Sequence, residues 1–155
     1  MNTELRAMIV ATEGRYLSTK EVDALRDYAG GMEARLAAAR RMQSAEDRIL
    51  ARATQRLGDL SKLHGGRSEG IEEMRFMLRR VALAHVRSDP DHFREAHAEW
   101  VAEQLCNLVE PAVLTATFEA LREAIAETLV EADTYAFEPY LHTFIEELRK
   151  WQSAT

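Results

Sequence analysis

Apolar residues recur along this chain at helical spacing almost from end to end. Leu5, Met8 and Ile9 form a short stripe that stops at Gly14, with the three- and four-residue steps that bring side chains onto one helix face. Ser18-Thr19-Lys20-Glu21 then has the form of a capping box, with Leu17 and Val22 placed as a hydrophobic staple. Val22, Leu25 and Ala29 continue that stripe to Gly30-Gly31, and Leu36, Ala39 and Met42 carry a third as far as Ser44. Ser44 reads as the cap of a further helix through Ile49, Ala53 and Leu57 that ends at Gly58. Ser61 to Gly70, with Gly65, Gly66, Ser68 and Gly70, resists helix and strand alike and is the one expected loop of any length.

Beyond it Ile71, Met74, Leu78, Val81 and His85 make a stripe that halts at Ser88-Asp89-Pro90, where Asp89 suits an N-cap and Pro90 the first helical position. Phe93, Ala96, Trp100, Leu105 and Leu108 extend the next helix to Pro111, and Leu114, Phe118, Leu121, Ile125 and Leu129 form the most regular stripe in the chain. Pro139 is expected to open a last helix carrying Leu141, Phe144, Ile145 and Leu148. No strand-period alternation and no repeat occurs, so the pattern predicts an all-α fold of about seven or eight helices.

Composition narrows the function classes. A chain of 155 residues suits a single domain that buries roughly 70% of its unfolded surface. Twenty Lys and Arg against 26 Asp and Glu leave a net charge of -6, which provides no positive field for nucleic acid. No run of about 18 uncharged apolar residues exists to cross a membrane, and Glu4 and Arg6 interrupt the N-terminal run where a signal peptide would be continuously apolar. The single cysteine, Cys106, excludes an internal disulfide and a multi-cysteine zinc site, and points to a reducing, cytoplasmic location.

Several motifs resemble a known family. Gly14-Arg15-Tyr16-Leu17-Ser18-Thr19, followed by Leu25, Tyr28, Glu33, Arg35 and Ala38-Ala39, resembles the start of phycobiliprotein subunits without a gap to about residue 50. Leu78-Arg79 resembles the pair in that family's "Y-Y-L-R-Y" helix, Asp89 its "G-D" turn, and Pro111 the proline of its "G-V-P" turn. The resemblance implies a globin-like fold of phycobiliprotein type with two N-terminal extension helices. In that reading residues 1–155 form one domain, with 1–30 a dimerisation arm and 32–152 the globin core.

The departures from the family lie around the chromophore. Antenna subunits attach a linear tetrapyrrole through a cysteine at the position that matches Gly70, so covalent attachment there is lost. Glu72 replaces the arginine that pairs with a bilin propionate, while Glu73 keeps the carboxylate that accepts from pyrrole N–H groups. Phe76 and Met77 stand where the family has two aromatic residues. In these respects the chain looks most like the bilin biosynthesis-associated globins, which lack the attachment cysteine. The resemblance then implies a noncovalent bilin, biliverdin or phycocyanobilin-like, with Glu73 on the pyrroles, Phe76 and Trp100 as walls, and Arg67 or a nearby arginine ridge taking a propionate. It also implies a homodimer using Glu13, Tyr16 and Arg79, and a bilin reductase or other bilin-pathway protein as partner.

Other readings stand beside this one. The chain could be a globin-like interaction or signalling module with no chromophore, or a haem globin through His97, since a proximal histidine is the minimum bond to haem iron. His92 and His97, five residues apart, are not expected to share a face of an α-helix. Glu138, His142 and Glu146 recur every fourth residue, a spacing that salt-bridged surface helices carry as readily as metal sites, so no metal is expected. Cys106 lies among Leu105 and Leu108 and reads as a small buried hydrophobe, and no nucleophile–base constellation marks the chain as an enzyme. Arg48, Arg52 and Arg56 form one ridge, either a solvated face or a docking surface for acidic groups.

Overall fold

In the computed structural model, which describes residues 2–64 and 69–154, the chain is built from helices, with no strand among the described residues. They are α1 (Thr3–Ala11), α2 (Thr19–Gly30), α3 (Met32–His64), α4 (Glu69–Arg87), α5 (Pro90–Phe93), a π-helical segment (Arg94–Ala98), α6 (Glu99–Cys106), α7 (Pro111–Thr128) and α8 (Glu131–Ala154). The α5, π and α6 pieces run on without a break. An all-α, globin-like body results, in which α3 packs on α4 and α7, and α7 on α8.

The core explains why two expected helix boundaries do not exist. Ala38, Met42, Ala45, Ile49 and Ala53 are all buried along α3, so the apolar stripe runs straight through Ser44, whose side chain is exposed on the opposite side. Ser44 therefore caps nothing, and Gly58 lies inside the same 33-residue helix rather than after it. A helical glycine costs about 1 kcal/mol against alanine, less than the burial of even one such side chain returns. The same helix reaches His64 and α4 starts at Glu69, so most of the loop expected over Ser61 to Gly70 is helical backbone.

Pro139 is likewise interior. α8 begins at Glu131, after the extended residue Leu129, and Pro139 sits in its exposed face. Proline at mid-helix removes one backbone bond and costs about 3 kcal/mol. Phe137, Tyr140, Leu141 and Phe144, buried on both sides of it, hold the helix together. Phe144 meets Phe118 edge-on at 4.7 Å between ring centres, a geometry that adds to simple burial.

Other junctions follow the sequence pattern. The Ser18–Glu21 capping box forms in full, and Arg15 binds the same glutamate at 2.7 Å. Asp89 caps α5 by accepting from the His92 N–H, and its other oxygen accepts from Thr3 N and Oγ1, both at 2.6 Å. One carboxylate thus serves the first turns of two helices and fastens α1 to the α4–α5 corner. Burial opposes its charge, but the bonds from Thr3 and His92 together hold its pKa below the ordinary value. Ser88 just before it turns the chain with φ 53, the left-handed region that few side chains adopt.

Candidate functional site

The first turns of α4 carry the residues that the resemblance singles out. Gly70 is the second residue of the helix, and among the described residues a Cβ built there would meet only Thr117 Cγ2 of α7, at 3.8 Å. That is ordinary contact, so packing does not require glycine at the position. One turn on, Glu73 is half-buried, and its Oε2 is shielded from solvent with no hydrogen-bond partner among the described residues. A buried carboxylate oxygen without a donor is costly, and it is the acceptor a pyrrole N–H would use. Glu72, by contrast, is exposed and lies 3.7 Å from Arg75.

Phe76 and Met77 diverge. Met77 is buried in the core, whereas Phe76 is 41% exposed with the Arg80 guanidinium 4.8 Å above its ring. Trp100 stands on α6 and is 58% exposed; among the described residues it has no ring contact with Phe76. Glu73 and Phe76 therefore share one stretch of α4, and Trp100 belongs to a different helix. Arg67 lies outside the described residues.

Two arginines of the ridge, Arg52 and Arg56, are occupied by the protein itself. Arg56 binds Glu123 at 2.6 Å and also Glu127, and Arg52 donates to the Glu127 backbone oxygen at 2.7 Å. These contacts tie α3 to α7. Arg41, on the same helix, grips the buried Asp133 of α8 through two bonds, at 2.6 and 2.7 Å. On α8, Glu138 and Glu146 pair with Arg122 and Arg149, so that face is a salt-bridged surface. Burial pushes the Cys106 thiol pKa up, away from the thiolate a nucleophile needs.

His92 and His97 supply the one reversal in geometry. Their rings lie 5.6 Å apart, nearly perpendicular, because the segment between them is π-helical. Bonds from i to i+5 widen the turn, so residues five apart come to one side; Phe93 and Ala98 likewise both reach the core. The histidine pair borders a cavity of about 10 Å³ between α4 and α5, lined also by Arg80, Leu83, Arg87 and Asp89, room for about one water. Burial lowers the His97 pKa, and the charges of Arg80, His92 and Arg87 lower it further. His85 is a core-edge histidine, edge-on to Phe137 at 5.0 Å, and burial lowers its pKa too. Arg80 and Arg87 were missed by pattern reading, although with Phe76 and Leu83 they fall on one α4 face.

The residues expected at a dimer contact lie apart within one chain. Tyr16 is 97% exposed in the α1–α2 connection and Glu13 is exposed beside it. Arg79 is bound to Glu46 of α3 at 2.9 and 3.1 Å. Ile9, Val10, Leu17 and Val22 are also exposed on the N-terminal pair. Beneath that pair an open groove of about 480 Å³ runs past Leu5, Met8, Tyr28 and Arg35.

The described helices and their packing together define an all-α globin-type protein. The sequence model of the phycobilisome protein family matches residues 9–148, and the chain belongs to that family, whose members are pigment-binding rather than enzymatic. No curated protein matches the chain significantly. No helix among the described residues is long and apolar enough to cross a membrane.

Proposed function

We propose that this protein binds a linear tetrapyrrole noncovalently, biliverdin or a phycocyanobilin-like reduced bilin, in association with bilin biosynthesis, and is not a covalent light-harvesting antenna. The observation that carries the reading is the buried Oε2 of Glu73, which lies one turn from Gly70 and has no hydrogen-bond partner among the described residues. Glu73 would accept from pyrrole N–H groups, and the exposed ring of Phe76 would stack on the pigment. A bound bilin supplies long-wavelength absorption; the protein's part is to orient it and hold its protons. The protein performs no catalysis in this reading, and a bilin reductase is the partner that would deliver or collect the pigment.

Absorbance titration of the purified protein with biliverdin, and separately with haemin, tests the proposal. A narrowed and red-enhanced bilin band, weakened about tenfold by Glu73→Leu, is expected, since a hydrogen bond to a charged group is worth about 1.5–3 kcal/mol. A Soret shift lost in His97→Ala would replace this reading with a haem globin. Silence with both pigments would leave a chromophore-free interaction module.

A further inference from the structure

We infer that Arg80, Arg87, His92 and His97 form an anion clamp, between α4 and the π-helical segment, that takes a carboxylate or phosphate group at the mouth of the cavity they line, whose interior has room for about one water. The naming of a bilin propionate as its ligand rests on the bilin reading above; the clamp itself does not. Most arginines of the body hold carboxylates: Arg52, Arg56, Arg75, Arg79, Arg122 and Arg149 each pair with at least one. Arg80 and Arg87 line the cavity and have no carboxylate partner among the described residues. They stand seven residues apart on α4, about two helical turns, and both line the cavity.

The histidines face them because of the π segment. In an ordinary α-helix, residues 92 and 97 would diverge by well over a right angle; here their rings touch edge to face beside the two guanidinium groups. π-turns are frequent at functional sites, and this one gathers four basic side chains around one cavity that Asp89 also lines. The acidic neighbours are already engaged. Asp89 is bonded to Thr3 and to the His92 N–H, while Asp91 and Glu95 lie within ion-pair distance of Arg94. Burial first, and then the charges of Arg80, His92 and Arg87, lower the His97 pKa; that gathered positive charge is what an anion would relieve. The exposed faces of Phe76, under Arg80, and of Leu83 provide an apolar floor at the rim, suited to an anion carried on a flat apolar body.

The test follows the His92 and His97 ring signals by NMR in the intact protein, with three probes: inorganic phosphate, biliverdin and biliverdin dimethyl ester. Phosphate is expected to shift both rings and raise the His97 pKa, and Arg80→Gln with Arg87→Gln is expected to abolish the shift. Both arginines are solvent-accessible, and an unchanged thermal melt confirms that the variant folds; His97→Gln, which leaves the arginines in place, serves if it does not. Biliverdin bound about tenfold more weakly by the variant, with the ester insensitive to it, assigns the clamp to a bilin carboxylate. Phosphate shifts with unchanged biliverdin affinity assign it to a free phosphate group. Rings that respond to none of the probes overturn the clamp, whereas failure of biliverdin alone to bind overturns the bilin reading and leaves the phosphate result to decide this one.

Discussion

The 18-residue α7 buries Leu114, Phe118, Leu121 and Ile125 along one face, whereas the 12-residue α2 buries none of its side chains. α1 does little better, with Leu5 alone buried. The N-terminal pair is held in place by polar joints. Asp89 binds Thr3, Arg35 donates to the Tyr28 backbone oxygen at 2.7 Å and lies over the Tyr28 ring at 4.7 Å, and the capping box closes the turn between the helices. Burial of apolar surface stabilises the body, while hydrogen bonds set the direction of the arm. Such bonds contribute about 1 kcal/mol each. An arm oriented in this way, with Ile9, Val10, Leu17 and Val22 facing outward, presents a patch of the kind that marks a protein contact. We propose that this patch, with Tyr16, is the surface of a homodimer.

The contrast can be broken most forcefully in the body. Phe118→Ala should cost about 4 kcal/mol in chemical denaturation, as large core truncations do, whereas Val22→Ala on the arm should change the stability of dilute protein by no more than about 0.5 kcal/mol. Comparable losses from the two would mean that the arm is packed like the core. Asp89→Ala comes next. Loss of an N-cap costs about 1–2 kcal/mol, and hydrogen exchange should show α1 amides losing protection while those of α7 keep theirs.

Association supplies a sharper comparison. Arg79→Glu, and separately Tyr16→Ala with Val22→Ser, should weaken the dimer by about tenfold or more in sedimentation, equivalent to about 1.4 kcal/mol. An undiminished dimer in both would move the interface elsewhere. The smallest effect concerns acid. Arg15, the Ser18 N–H and the Ser18 hydroxyl hold the Glu21 pKa down to about 2. Because that value is depressed, the contribution of the capping box is complete above the ordinary glutamate range near 4.5 and fades as pH falls towards 2. Protection of the Glu21 amide should therefore persist at pH 5 and decline between about 4 and 2.

What could be read in advance depended on the range of the interaction. The Ser18–Glu21 box, the stop at Ser88-Asp89-Pro90 and the α7 stripe involve residues within a turn or two of one another, and all three stand as their spacing implied. Ser44, Gly58 and Pro139 carry local breaking signals that packing of α3 and α8 overrides. At the site, the family resemblance pointed to Gly70 and Glu73, but no periodicity shows that Glu73 keeps a buried oxygen without a donor. The pairing of His92 with His97 was invisible because standard helical geometry separates them.

By itself, the sequence determined the helical class and the caps at Ser18 and Asp89, since these depend on residue type and short spacing alone. Tertiary structure decided which breakers are tolerated and which arginines pair with carboxylates among the described residues. It also widened one turn of helix enough to set two histidines beside two arginines. Those outcomes depend on burial and on charges distant in the chain, and only the folded arrangement brings them within reach of one another.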